Sequence, residues 1–250
     1  MSESDSFMSH LIELRDRLMR AILALLIVFG VLFYWARDIY TLLAAPLLAE
    51  LPEGTQMIAV EVAAPFFVPV KVTMFAAFII ALPYVLYQVW AFVAPGLYLQ
   101  EKKLVLPLIA TSTLLFLVGM AFAYFIVFPV VFPFITTFAP EGVAVMTDIQ
   151  KYFDFVLTLF LAFGVAFETP IAVVILTRMG IVSIEQLKRA RPYVVVGAFV
   201  IAAIFTPPDV VSQLLLAFPL WLLYEVGLII SGWLGKSAED EEPQSDSPPN

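Results

Sequence analysis

The stretch at residues 104–132, LVLPLIATSTLLFLVGMAFAYFIVFPVVF, runs twenty-nine residues without a single Asp, Glu, Lys or Arg. A bilayer core about 30 Å thick takes about 20 helical residues to cross, so this run reads as a membrane span and fixes the solvent of the whole chain. The rest agrees. Of 250 residues 62% are hydrophobic and 14% charged, with a mean hydropathy of +0.98, far from the composition of a soluble domain. The 18 prolines imply helices that are kinked, broken or ended inside the membrane.

Five further apolar runs lie around this one, at 18–35, 72–93, 155–177, 192–205 and 210–230. The expected fold is an all-α membrane protein of six transmembrane helices. Its single membrane domain runs through residue 235, and residues 236–250 form an acidic, disordered tail. The fifth run is the shortest: about fourteen residues at about 1.5 Å each cover about 21 Å, which fits a short fifth and sixth hairpin or a re-entrant segment. The first run lacks a small-residue cleavage site and is expected to be retained.

Positive charge orients the spans, because short cytoplasmic loops collect Lys and Arg. Arg15, Arg17, Arg20, Lys102, Lys103, Arg178, Lys188, Arg189, Arg191 and Lys236 fall on one side, and Arg37, Lys71 and Lys151 on the other. Ten against three puts both termini in the cytoplasm. A five-span alternative would place the C-terminus outside. The external connections are then 36–70, expected to pack as short helices, 133–151, and a tight turn at Thr206, Pro207, Pro208 and Asp209.

The formal charge of −8 owes five negatives to the tail residues Glu239, Asp240, Glu241, Glu242 and Asp246, and indicates no nucleic-acid partner. With no cysteine and one histidine, metal and redox chemistry have no ligands. No phosphate loop, dinucleotide fingerprint, zinc-protease pair or nucleophile elbow is present, so the chain reads as a non-enzyme without a cofactor.

Polar groups near the membrane are the remaining signal. The segment SHLIELRDRL (9–18) is an amphipathic helix leading into the first span. Within it, Glu13 and Arg17 stand four apart, and the plain reading is one surface ion pair. In FVAPGLYLQEKK (92–103), Pro95 and Gly96 end the second helix, and Glu101 is the counter-ion of two lysines or half of a carboxylate pair with Glu13, set to grip a cationic peptide. Arginine suits that grip, since its guanidinium bonds a carboxylate through two parallel hydrogen bonds. Glu168 lies inside the fourth span between the breakers Gly164 and Pro170. It is a neutral buried acid or a carboxylate facing a wet groove, and the breakers favour the groove. Lys71, Asp154 and Glu225 lie nearer helix ends and can snorkel, while Gln213 is a candidate interhelical hydrogen-bond donor.

Five motifs in order resemble the TatC family of the twin-arginine protein translocase. They are Leu-x-Glu-Leu-Arg-x-Arg-Leu at 11–18, Phe92 with Pro95-Gly96-Leu97 and Glu101-Lys102-Lys103, Phe167-Glu168-x-Pro170, Arg191-Pro192-Tyr193, and Thr206-Pro207-Pro208-Asp209 with Gln213. The resemblance implies a receptor and assembly core in a bacterial or archaeal-type cytoplasmic membrane, with a concave groove, exporting folded proteins on the proton-motive force. Carried over, Glu13 and Glu101 would bind twin-arginine signal peptides, supported by Leu11, Arg15, Arg17 and Phe92. Pro46 matches a proline of the first external loop, Glu168 a polar groove residue, and Thr206 and Gln213 the positions where single-span TatA-like and TatB-like subunits dock, with self-association also implied. Asp209 belongs to the external turn. The alternative from residues alone is a proton-coupled small-solute transporter with Glu168 as proton carrier.

Overall fold

The computed structural model describes residues 3–49, 57–93, 102–131, 147–205 and 210–240. The helices are α1 (Glu3–Leu32), α2 (Ala36–Ala49), α3 (Ala64–Val93), α4 (Lys102–Phe122), α5 (Ile149–Phe167), α6 (Thr169–Arg178), α7 (Ile184–Phe205) and α8 (Val210–Asp240). A 3-10 turn at Phe33–Trp35 joins α1 to α2, and a π turn at Ala123–Val127 extends α4. Five stretches are long and apolar enough to cross a membrane: Met8–Ala44, Ala64–Val93, Val105–Val131, Ile149–Arg178 and Gln213–Trp233. Two compact units divide the chain, Met1–Val165 and Ala166–Asn250, where the sequence points to one membrane domain.

In the first unit α1 and α2 pack along α3, and α3 packs on α4. The short helix expected in the connection 36–70 is α2. That loop and the one before α5 also contain what an all-α reading omits, a parallel pairing of β1 (Met57–Ile58) with β2 (Thr147–Asp148). Asp148 anchors it. Its Oδ1 accepts from Val60 N and from Gln150 N, each at 3.4 Å, the second being an N-cap contact that opens α5.

The fourth span is interrupted as Pro170 requires: α5 ends at Phe167 and α6 restarts at Thr169, with Pro170 in its first turn, where a missing N–H costs nothing. Gly164 is not part of the break. It lies inside α5, and a Cβ there would fall 2.4 Å from the ring of buried Phe116, so it is a packing surface for α4.

In the second unit α8 packs on both α6 and α7. Gly180, at φ +69°, ends α6, and the N–H of Ile181 reaches back to Leu176 O at 3.1 Å, the helix stop that glycine makes inexpensive. The fifth run differs from expectation. It is embedded in α7, a helix of 22 residues about 33 Å long, which starts at Ile184 because Ser183 and Gln186 cap each other (Ser183 N to Gln186 Oε1 2.9 Å, Gln186 N to Ser183 Oγ 3.1 Å). Its apolar part remains 192–205, and Glu185, Lys188, Arg189 and Arg191 in its first turns keep it out of the five long apolar stretches. Helix α8 continues through Asp240, over the first residues of the expected tail; residues 241–250 lie outside the described residues.

Close helix approach gives a ranked prediction. Gly227 on α8 leaves only 3.0 Å between an added Cβ and Pro170 Cα, whereas Gly232 on the same helix has nothing within 4 Å. Apparent thermal stability in detergent should fall most for Gly164→Ala and less for Gly227→Ala, by about 1–3 kcal/mol for such overpacking. Gly232→Ala should be neutral or slightly stabilising.

Candidate functional site

The amphipathic segment at the start of the chain forms the first turns of α1. Glu13 accepts two bonds from Arg17 on one oxygen, Nε to Oε1 at 2.9 Å and Nη2 to Oε1 at 2.6 Å. The ion pair that is the plain reading therefore exists, and among the described residues Oε2 is not used by it. Arg15 pairs instead with Asp16 at 2.8 Å, on the exposed side. Leu11 is 44% exposed.

One residue outside the sequence-derived set joins this segment to α3. His10 stacks on Phe92, with ring centroids 4.4 Å apart and planes 21° apart. Phe92 is next to last in α3, so the stack fixes the beginning of α1 against the end of α3 that leads toward Glu101. Glu101 itself, with Pro95, Gly96 and Leu97, lies outside the described residues, as do Thr206 and Asp209. Pro46 lies within α2.

Nearby, Trp90 Nε1 donates to Ser112 Oγ at 2.8 Å, a buried bond from α3 to α4. At the far end of α3, Lys71 and Asp154 do more than snorkel: Nζ donates to both carboxylate oxygens at 2.7 and 3.1 Å, tying α3 to α5.

In the second unit Glu168 is buried, 9% exposed. Gln213 bridges helices as expected, donating from Nε2 to Phe199 O at 3.2 Å. Three contacts that sequence reading missed complete the α6, α7 and α8 group. Arg191 donates to Glu225 at 2.7 Å, Tyr224 donates its hydroxyl to Leu187 O at 2.8 Å, and Thr177 bonds Ser231 through their hydroxyls. Each joins residues more than thirty apart in sequence, and no local pattern announces such pairs.

The family model of the Sec-independent protein translocase protein TatC matches residues 9–219. The chain belongs to the TatC family. The TatC protein of Azotobacter chroococcum mcd 1 is 54% identical over 242 residues, covering 97% of this chain and 94% of that protein. The TatC of Escherichia coli (strain K12) is 52% identical over 243 residues with the same coverage. A crystal structure of a twin arginine translocase receptor, TatC, matches with a TM-score of 0.78 at 42% identity, over 90% of this chain and 99% of that one. Like other members, this chain is a multi-pass membrane protein of a protein-transport family, which does not favour the small-solute transporter.

The Arg191–Glu225 contact is partly shielded, with side chains 46% and 18% exposed. A double-mutant cycle of Arg191→Gln and Glu225→Gln, read as apparent stability in detergent, should give a coupling of about 1 kcal/mol. Glu225→Gln alone should cost more than Arg191→Leu in the Glu225→Gln background.

Proposed function

We propose that this TatC-family chain is the receptor and assembly core of a twin-arginine translocase in a bacterial or archaeal-type cytoplasmic membrane. It binds twin-arginine signal peptides at its cytoplasmic face through Glu13 and Glu101. The observation that carries the reading is that Glu13 already accepts a guanidinium, with two N–H donors of Arg17 converging on Oε1. Arg17 orients the carboxylate, and among the described residues no donor takes Oε2, which an arriving arginine would use. The His10–Phe92 stack supports a shared surface, because Glu13 stands one turn along α1 from His10 and Glu101 follows Phe92 by nine residues.

Gln213 uses its amide nitrogen between α7 and α8, which leaves its carbonyl to meet a TatA-like or TatB-like single-span helix, a role the resemblance also gives Thr206. Buried Glu168 faces the groove of the assembled receptor, and copies of the chain associate with one another. Folded passengers then cross at the cost of the proton-motive force, without nucleotide hydrolysis.

Replacing Glu13 or Glu101 with Gln keeps shape and removes charge. A charge-assisted hydrogen bond contributes about 1.5–3 kcal/mol, so each change should weaken binding of a twin-arginine peptide by roughly tenfold to more than a hundredfold. A twin-lysine peptide should bind the parent poorly, because ammonium cannot make the paired bonds. Parent-like binding by both variants at equal salt would remove these residues from the receptor site.

The cytoplasmic orientation has its own check. A reporter fused after Asn250 should be reached only from the cytoplasm, as six crossings return the chain to the side of Arg15, Arg17 and Arg20; labelling from outside alone would eliminate that topology.

A further inference from the structure

Two clefts of the first unit follow one stripe of α3. Pro65, Pro69, Val72, Ala76 and Ile79 recur at spacings of four and three, the period of a single helix face. At the N-terminal end of this stripe a cleft of about 680 Å³ separates the α1–α2 corner from α3, lined by Tyr34, Arg37 and Asp38 on one wall and by Phe66 and Pro69 on the other. Further along α3 lies a second cleft of about 460 Å³ that presents no polar surface. Its floor includes Val72 and Phe153, each 1% exposed, while Leu42 and Ile80 on its rim are 76% and 59% exposed. It is therefore open to the surroundings of a membrane helix and dry within.

The polar cleft carries one charge of each sign. Arg37 and Asp38 are exposed, and among the described residues neither takes part in an ion pair, with the other or with any third group. Helix α1, the 3-10 turn and α2 continue as one helical stretch, Met8–Ala44, with Ala36 N–H bonded to Phe33 O, so no free helix terminus calls for either charge. Tyr34 and Trp35 beside it are 86% and 49% exposed, the composition of a membrane–water interface.

We propose that the two clefts together bind one zwitterionic aminophospholipid. Its phosphate rests on the Arg37 guanidinium, its ammonium group meets Asp38, and one acyl chain lies in the apolar cleft along α3. A guanidinium matches phosphate oxygens through paired N–H donors. Phosphatidylglycerol has the phosphate but no cation for Asp38. Phosphatidylcholine has the cation but no N–H to donate.

The test is native mass spectrometry of the full chain released from detergent with phosphatidylethanolamine, phosphatidylglycerol or phosphatidylcholine of identical acyl chains. The parent should retain one phosphatidylethanolamine in preference to either other lipid. Arg37→Gln should weaken that retention about tenfold, as loss of a charge-assisted contact implies, and Asp38→Asn should abolish the preference over phosphatidylglycerol. Ala76→Leu, which fills the apolar cleft, should weaken all three lipids alike, and chain-free glycerophosphoethanolamine should not displace the bound lipid. Circular dichroism establishes that each variant is folded; Arg37 and Asp38 are exposed, so their variants serve even if Ala76→Leu is not. Equal retention of the three lipids by the parent, or parent-like retention by Arg37→Gln, would overturn the proposal.

Discussion

Leucine packed on leucine gains little when the alternative is leucine in lipid, so helices in a bilayer are held by close backbone approach and by polar contacts between helices. This constraint accounts for where the chain spends its few polar residues. Lys71 with Asp154 ties α3 to α5, Trp90 with Ser112 ties α3 to α4, and Gln213 with the Phe199 carbonyl ties α7 to α8. Close approach works beside these contacts: Gly164 lets Phe116 lie against α5, and Gly227 brings α8 onto α6 at Pro170, where Thr177 also bonds Ser231.

The same solvent governs the prolines. In hydrocarbon a carbonyl freed by proline has no water to turn to, so a proline costs least in the first turn of a helix, where Pro170 is placed. The Thr73 and Thr111 hydroxyls donate to the prolines' own carbonyls, Pro69 O at 2.7 Å and Pro107 O at 2.8 Å, as back-bonds to the preceding turn. The π turn at Ala123–Val127 is a further departure from regular helix, just before Pro129.

Apolar length makes the spans legible, because it is a property of continuous sequence. The break at Pro170 and the bridging role of Gln213 were legible too, since a proline and a lone amide in an apolar helix have few other uses. What was not legible depends on distance. The start of α7 is not legible because the Ser183–Gln186 cap lies in polar sequence, outside the apolar run that defines the span. Lys71, Asp154 and Glu225 read from sequence as separate snorkelling groups, and Arg191 as a loop charge, because nothing local pairs residues 83 or 34 positions apart. His10 was passed over as the only histidine, and its partner, Phe92, was singled out on resemblance alone.

The Arg191–Glu225 pair shows how these effects combine. Counted back from Phe205, the last residue of α7, the apolar part of the helix extends over 192–205, about 21 Å, before reaching Arg191. On α8, Glu225 stands fifteen residues after Val210, at about the same height, yet the sequence on both sides of it, LWLLY before and VGLII after, remains apolar. A lone carboxylate there would carry a desolvation cost with nothing to offset it. Its partner supplies the reason: α7 runs out of apolar length at a level where α8 has not, and Glu225 provides the counter-charge that lets the guanidinium of Arg191 stand beside that helix. Pairing also removes most of the field that an isolated charge would present to lipid, so a helix of short apolar length and one of long apolar length can share a hairpin. Tyr224, one residue away, closes the same level by donating to Leu187 O, one turn before Arg191.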